Sequence, residues 1–155
     1  MGHLFIVIGA VLAAASVGAG AFGAHGLADR LDPRSLELWE TAARYLMYGA
    51  FGVIATGILE RLWAQRLLVA AAWCLLAGTL VFSGTVFGLA VGAPRVLGAI
   101  TPLGGLLLIA GFLLLAWAAL DRHLEMGEET PSVAVAVEEP AAAGELASGA
   151  STAVD

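Results

Sequence analysis

The sequence contains no lysine, a single cysteine and few charged residues of any kind. Charged residues make up 13% of the 155-residue chain, whereas soluble domains carry roughly 25%. This shortage excludes an ordinary water-soluble fold, and a hydrophobic content of 60% favours a membrane protein. The single cysteine, Cys74, excludes an intrachain disulfide, and no basic surface points to a nucleic-acid partner.

Negative charge is concentrated at the C-terminal end of the chain. Residues 121–155 carry eight acidic residues and one arginine, whereas residues 1–120 carry five acidic residues and six arginines. Residues 125–155 are rich in Glu, Ala, Gly, Ser and Pro and lack aromatic side chains, so they bury too little apolar surface to offset the entropy of ordering. We predict a membrane domain over residues 1–122 and an acidic, disordered tail over residues 123–155.

Four apolar stretches are long enough to cross a bilayer. The first, residues 4–27, carries no charge and would form a helix about 36 Å long, against a hydrocarbon core of about 30 Å. A cleaved signal peptide is the competing interpretation, but the stretch lacks a basic leader and continues past the small residues that resemble a cleavage site. The other spans are predicted near residues 42–59, 67–91 and 96–120.

The second helix is predicted to begin before its span. Asp32-Pro33 is typical of a helix start, because Asp caps the first N–H groups and Pro at the first position loses no hydrogen bond. The next turns are amphipathic and suit the membrane interface. Tyr45 and Tyr48 would then lie at headgroup depth, where aromatic rings with a polar end are favoured. The predicted fold is an all-α membrane protein, a bundle of four transmembrane helices with an interfacial amphipathic start to helix 2.

Four short motifs occur in order along the chain: Phe-Gly-Ala-His-Gly-Leu at 22–27, Glu-Thr-Ala at 40–42 followed by Tyr45 and Tyr48, Phe-Ser-Gly at 82–84, and Ile-Thr-Pro-Leu-Gly-Gly at 100–105. Together they resemble the domain of unknown function 423 family of small, YgdD-like inner-membrane proteins, over about residues 1–120. The resemblance implies a four-helix, multi-pass protein of the cell inner (plasma) membrane with no established activity. Members often carry a second histidine where this chain has Gly49, which speaks against a histidine-pair metal site here.

Few polar side chains lie in or beside the predicted spans, and these are the candidates for a site. His25 ends the first span, and it is either a proton-relay group or ligand, or a helix-end histidine that bonds a carbonyl or carboxylate and locks two helices together. Glu40 falls with the apolar face of the second helix at helical spacing, so we expect it to have a partner. That partner is either Arg44 or His25. The predicted polar cluster has six members: His25, Glu40, Arg44, Tyr45, Ser83 and Thr101.

No motif predicts catalysis or cofactor binding. His3, His123 and Cys74 do not have the spacing of metal ligands, and no nucleophile–base arrangement is apparent, so we expect no enzyme, metal or cofactor. Ala15, Ala19 and Gly23 form a stripe of small residues that favours helix packing. The predicted function is therefore structural, in assembly or interaction within the membrane, with the lipid bilayer and a homo-oligomer or larger membrane complex as partners. A component of a small-molecule transporter or channel is the alternative.

Overall fold

Four helices make up the described part of the chain. The computed structural model describes residues 1–128, with side chains up to residue 124. The helices are α1 (Gly2–Phe22), α2 (Pro33–Trp63), α3 (Arg66–Ala90) and α4 (Leu97–Glu128), and a π-helical segment, the π-turn, prolongs α1 over Gly23–Leu27. All four are long and apolar enough to cross a membrane. The predicted all-α fold of four transmembrane helices is confirmed.

The connection between α2 and α3 is shorter than predicted. The spans predicted near residues 42–59 and 67–91 leave residues 60–66 between them, but α2 continues to Trp63 and only Ala64 and Gln65 separate the two helices. Ala64 ends α2 because its φ of 52° is left-handed, and Gln65 has the extended backbone of a helix start. The polar side chain of Glu60 does not end the helix, since it has a hydrogen-bond partner on α1.

The last helix is longer than predicted. α4 extends past residue 120 to Glu128, so residues 123–128, which were assigned to the tail, are helical. The chain separates into two compact units, Met1–Asp121 and Arg122–Asp155. The remainder of the predicted disordered tail, residues 129–155, lies outside the described residues.

The helices α2 and α3 form the centre of the bundle. Half of the most apolar stretch of α2 and 44% of that of α3 are buried, against 17% and 22% for α1 and α4. All four helices contribute to one core cluster: Phe5, Val53, Ala72, Leu75, Leu76 and Leu108. The helices α1 and α4 therefore leave the larger share of their surface open to lipid.

Glycines let the central helices approach closely. A Cβ atom built on Gly49 of α2 would overlap the side chain of Thr79 on α3. A Cβ atom on Gly104 of α4 would lie 2.5 Å from the backbone nitrogen of Phe82 on α3. Small residues at such points allow the van der Waals packing that holds membrane helices together.

Side-chain hydrogen bonds between helices join two pairs of helices, α1 with α2 and α3 with α4. The Ser16 hydroxyl on α1 donates to the Ala43 carbonyl on α2 at 2.7 Å, and the hydroxyls of Thr85 on α3 and Thr101 on α4 are 2.9 Å apart. No hydrogen bond among the described residues joins α2 to α3. Aromatic, aliphatic and small side chains pack that interface.

Candidate functional site

Trp39 holds three helices together at the end of the bundle where α1 stops. Its indole N–H donates to the backbone carbonyl of Ala19 on α1 at 2.8 Å. Its ring lies 6.0 Å from that of Phe22 on α1 and 4.6 Å from that of Phe87 on α3, between centroids. Aromatic pairs in these arrangements stabilise a fold by more than the burial of their surface area alone. Trp39 thus connects α1, α2 and α3 at this end of the bundle.

The π-turn carries the first motif of the chain and begins beside Trp39. Gly23, its first residue, is buried, and a Cβ atom there would lie 2.7 Å from Cδ1 of the Trp39 ring. The Ala19 carbonyl accepts from the Gly23 backbone N–H as well as from the indole. A π-helical turn is wider than an α-helical one and often marks a functional position. Here it opens the end of α1 at the point where the indole reaches the main chain.

His25 lies within the π-turn and its side chain is exposed. No hydrogen bond or ion pair joins it to Glu40 or to Tyr45 in the part of the chain that the structure describes. Glu40 and Arg44 are also exposed. Glu40 shares a strip of α2 with Leu36 and Met47, as its spacing predicts, but both of these are only half-buried, so the strip forms the edge of the buried face. A functional role for these polar residues stays a prediction.

The other members of the predicted cluster are Tyr45 on α2, Ser83 on α3 and Thr101 on α4. Tyr45 packs on Phe82, with ring centroids 4.6 Å apart, next to the buried Ser83. The Ser83 hydroxyl has no hydrogen-bond partner among the described residues. Thr101 donates to the Leu97 carbonyl of its own helix at 3.1 Å, and its hydroxyl lies 2.9 Å from that of Thr85 on α3. The structure thus brings Thr101 into a contact between α3 and α4 and leaves it apart from His25.

Asp32 caps the start of α2, as its position before Pro33 predicts. Its carboxylate accepts from the backbone N–H of Arg34 at 3.1 Å and from both the N–H and the hydroxyl of Ser35, at 3.2 and 2.6 Å. The Ser35 bonds lower the pKa of Asp32 below its ordinary value, because they favour the charged carboxylate. The cap satisfies the first donors of α2 and keeps Asp32 ionised.

A surface groove lies between the start of α2 and the loop that joins α3 to α4. Its volume is about 920 Å³. Two arginines from different elements, Arg34 and Arg95, line it, and both side chains are exposed. The other lining residues are Asp32, Ser35, Leu38, Leu89, Gly92, Ala93 and Pro94. Sequence reasoning did not find this groove, because its two arginines lie on different elements about sixty residues apart.

The opposite end of the bundle is closed by Glu60 of α2. Its carboxylate accepts from the Gly2 backbone N–H at 2.6 Å and lies 3.7 Å from the amino group of Met1. Beside it, Nη1 of Arg61 and Nδ1 of His3 are within hydrogen-bond distance, at 3.1 Å. These contacts tie the start of α1 to the end of α2, a role that the sequence did not indicate for a residue just after the second predicted span.

The four spans, their apolar outer faces and the buried helix contacts define a multi-pass integral membrane protein that lies in a lipid bilayer. The chain matches the family described as "Protein of unknown function (DUF423)" over residues 19–105, and it belongs to this family. The matched region runs from the Ala19 that bonds Trp39, through α2 and α3, to the second glycine of the last motif. The predicted family is therefore confirmed.

Relatives of the chain are described as membrane proteins. A UPF0382 membrane protein of Staphylococcus haemolyticus is 46% identical over 99 residues, which cover 64% of this chain and 80% of the relative. The UPF0382 membrane protein YwdK of Bacillus subtilis is 40% identical over 100 residues, covering 64% and 81%. Their names state no activity. No solved structure matches the chain significantly.

Proposed function

We propose that the protein is a non-catalytic structural component of the cell inner (plasma) membrane, which acts by packing against itself or against a larger membrane complex. The observation that carries this proposal is the close packing of the bundle interior. Helix backbones approach each other at Gly78 and Gly104, Gly49 packs against the side chain of Thr79, and one apolar cluster fills the space between the four helices.

The buried threonines on the central helices support the same proposal. Thr56 donates to the carbonyls of Gly52 and Val53, and Thr79 donates to that of Leu75 at 2.6 Å. Each hydroxyl is satisfied by the preceding turn of its own helix, an arrangement that lets a polar side chain pack in an apolar interface. These side chains serve the packing of the bundle.

Two glycines face outward and favour contact with another helix. A Cβ atom built on Gly18 of α1 or on Gly84 of α3 would meet no atom within 4 Å, and both residues are exposed. Small residues on a lipid-facing surface allow a second transmembrane helix to approach closely. Since neither glycine is needed for packing inside the bundle, larger side chains there would disturb an assembly and spare the fold.

Purification of the tagged protein from native membranes in polymer nanodiscs tests this proposal. We expect a stoichiometric protein partner or a second copy of the chain to co-purify, and we expect Gly18→Leu or Gly84→Leu to remove it without lowering the melting temperature. Val17→Leu, at an exposed position beside Gly18, is the matched control and should leave the assembly intact. Recovery of the wild-type chain as a lone monomer would contradict the proposal.

Flux measurements test the transporter alternative separately. Purified protein in sealed liposomes should cause no flux of ions or small solutes above that of empty liposomes. A flux that depends on the protein would favour the alternative and count against a purely structural role.

A further inference from the structure

The groove between α2 and the α3–α4 loop has the features of a ligand site. It combines two cationic side chains with an apolar wall, and it lies where spans begin and end, because α2 starts at Pro33 and α3 ends at Ala90. We propose that this groove binds the phosphate of an anionic phospholipid between Arg34 and Arg95.

The two arginines are available to bind an anion. Neither makes an ion pair with a carboxylate among the described residues, and both side chains are exposed. A guanidinium group offers several N–H donors in a planar fork that matches the oxygens of a phosphate. Because Arg34 and Arg95 come from different elements, one phosphate between them would be held from two sides.

The single carboxylate of the groove, Asp32, reduces its net charge to +1 but makes no ion pair with either arginine among the described residues. Asp32 directs its oxygens to the backbone of Arg34 and to Ser35, where it caps α2. These bonds also mean that the first N–H donors of α2 are already occupied. The site therefore depends on the two arginine side chains and does not depend on the helix N-terminus.

The rest of the lining favours a lipid over a free anion. Leu38, Leu89 and Pro94 provide apolar surface next to the arginines. A hydrated inorganic phosphate gains nothing from such a wall, whereas the glycerol and upper acyl carbons of a phospholipid are removed from water against it. Basic pockets at the membrane surface between transmembrane helices are a recognised form of lipid headgroup site. The proposal is independent of the structural role proposed above.

Binding to the full-length protein in detergent micelles tests the proposal, with native mass spectrometry to count bound lipids and a thermal shift to follow affinity. The probes are phosphatidylglycerol, phosphatidylcholine and inorganic phosphate. We expect phosphatidylglycerol to bind and to raise the melting temperature, and the other two to have little effect. Arg34→Gln and Arg95→Gln should each weaken phosphatidylglycerol binding about tenfold, the loss expected for a hydrogen bond to a charged group.

Arg30→Gln is the matched control, because Arg30 is exposed near the start of α2 and does not line the groove. It should leave lipid binding unchanged. Equal losses in all three variants would show general charge attraction and would overturn the assignment to the groove. Binding of inorganic phosphate as tight as that of phosphatidylglycerol would overturn the lipid as the ligand.

Lysine variants keep the test decisive if a glutamine variant folds poorly. Arg34→Lys and Arg95→Lys retain the charge but lose the planar fork, so they should bind phosphatidylglycerol more weakly than wild type and more tightly than the glutamine variants. The melting temperature without added lipid reports folding in each case. Lysine variants that bind as tightly as wild type would contradict a two-sided guanidinium contact.

Discussion

The indole N–H of Trp39 on α2 donates to the backbone carbonyl of Ala19 on α1 across a distance of 2.8 Å. The same carbonyl accepts the N–H of Gly23, so one oxygen joins the end of α1, the beginning of the π-turn and the second helix. The acceptor is a main-chain carbonyl, so a substitution of Ala19 does not remove it. The contact therefore depends on the indole of Trp39 and on the absence of a Cβ atom at Gly23.

Replacing Trp39 should therefore destabilise the bundle. Trp39→Phe removes the indole N–H and leaves a ring that can still contact Phe87, so we expect a loss of about 1 kcal/mol, the usual net value of a hydrogen bond. Thermal unfolding in detergent measures the change. Trp117→Phe is the matched control, since Trp117 is 67% exposed on α4 and should tolerate the substitution. Equal melting temperatures for the two variants would argue against the contact.

A methyl group at position 49 should be costly. Gly49→Ala places a Cβ atom against Thr79, and overpacking of this kind costs about 1–3 kcal/mol. Gly84→Ala makes the same chemical change at a position with no neighbour within 4 Å, and it should be neutral or stabilising. Combining Gly49→Ala with Thr79→Gly should cost less than the sum of the two single changes. Strict additivity would show that the two positions are not in contact.

The Asp32 cap should make stability depend on pH in the acid range. The folded pKa of Asp32 is lowered from 3.8, so its contribution to stability is complete above that value and is lost as the pH falls through the lower, folded pKa. Asp32→Asn keeps a good N-cap side chain but cannot ionise. We expect the wild type to be the more stable protein at neutral pH and its advantage over Asp32→Asn to shrink on acidification. A difference that is constant with pH would contradict this role.

The exposed positions of His25 and Glu40 lead to a clear expectation for their stability effects. His25→Ala and Glu40→Ala should each change the melting temperature little, and the double variant should equal their sum, because no bond joins them in the described chain. A double variant that costs markedly less than the sum would show that the two side chains meet. Loss of a cellular phenotype at full stability would identify His25 as a functional residue.

The distribution of arginine predicts the orientation of the chain. Arg30, Arg34, Arg44 and Arg95 lie at one end of the bundle, and an excess of positive charge marks the cytoplasmic side, so both termini are predicted to face out. In a Cys74→Ala background, cysteines at positions 30 and 94 should react only from the cytoplasmic side, one at position 64 only from outside, and one at position 110 from neither. A cytoplasm-dependent reporter fused after Asp155 should be inactive, and activity there would reverse the orientation.

The hydropathy of the sequence was sufficient to predict the number and the approximate positions of the four helices. The four spans follow from runs such as residues 4–27, because a bilayer imposes a minimum length on any apolar helix. The helix ends were predicted less well. Glu60 looks like the beginning of a link because it is charged, yet its partner is the Gly2 backbone N–H at 2.6 Å, a contact between residues 58 positions apart. No local pattern reveals such a partner.

The candidate site was predicted only in part, for a similar reason. The residues of the first motif drew attention to His25, but the structure makes Gly23 and Ala19 the ones that meet Trp39. A π-turn shifts the register of the helix, so angular positions counted at a constant α-helical period no longer apply beyond it. The hydrogen bond of the Trp39 indole depends on where α1 passes, which no local pattern around Trp39 reveals.

The pairing of hydrogen bonds has a consequence for how the chain enters the membrane. Side-chain bonds connect α1 with α2, through Ser16 and Trp39, and α3 with α4, through Thr85, while none among the described residues crosses between α2 and α3. Each half can satisfy its interhelical polar bonds as a helical hairpin before it meets the other half. Biogenesis can therefore proceed as the insertion of two preassembled hairpins, and their docking at Gly49 and Thr79 completes the protein through shape complementarity within the lipid.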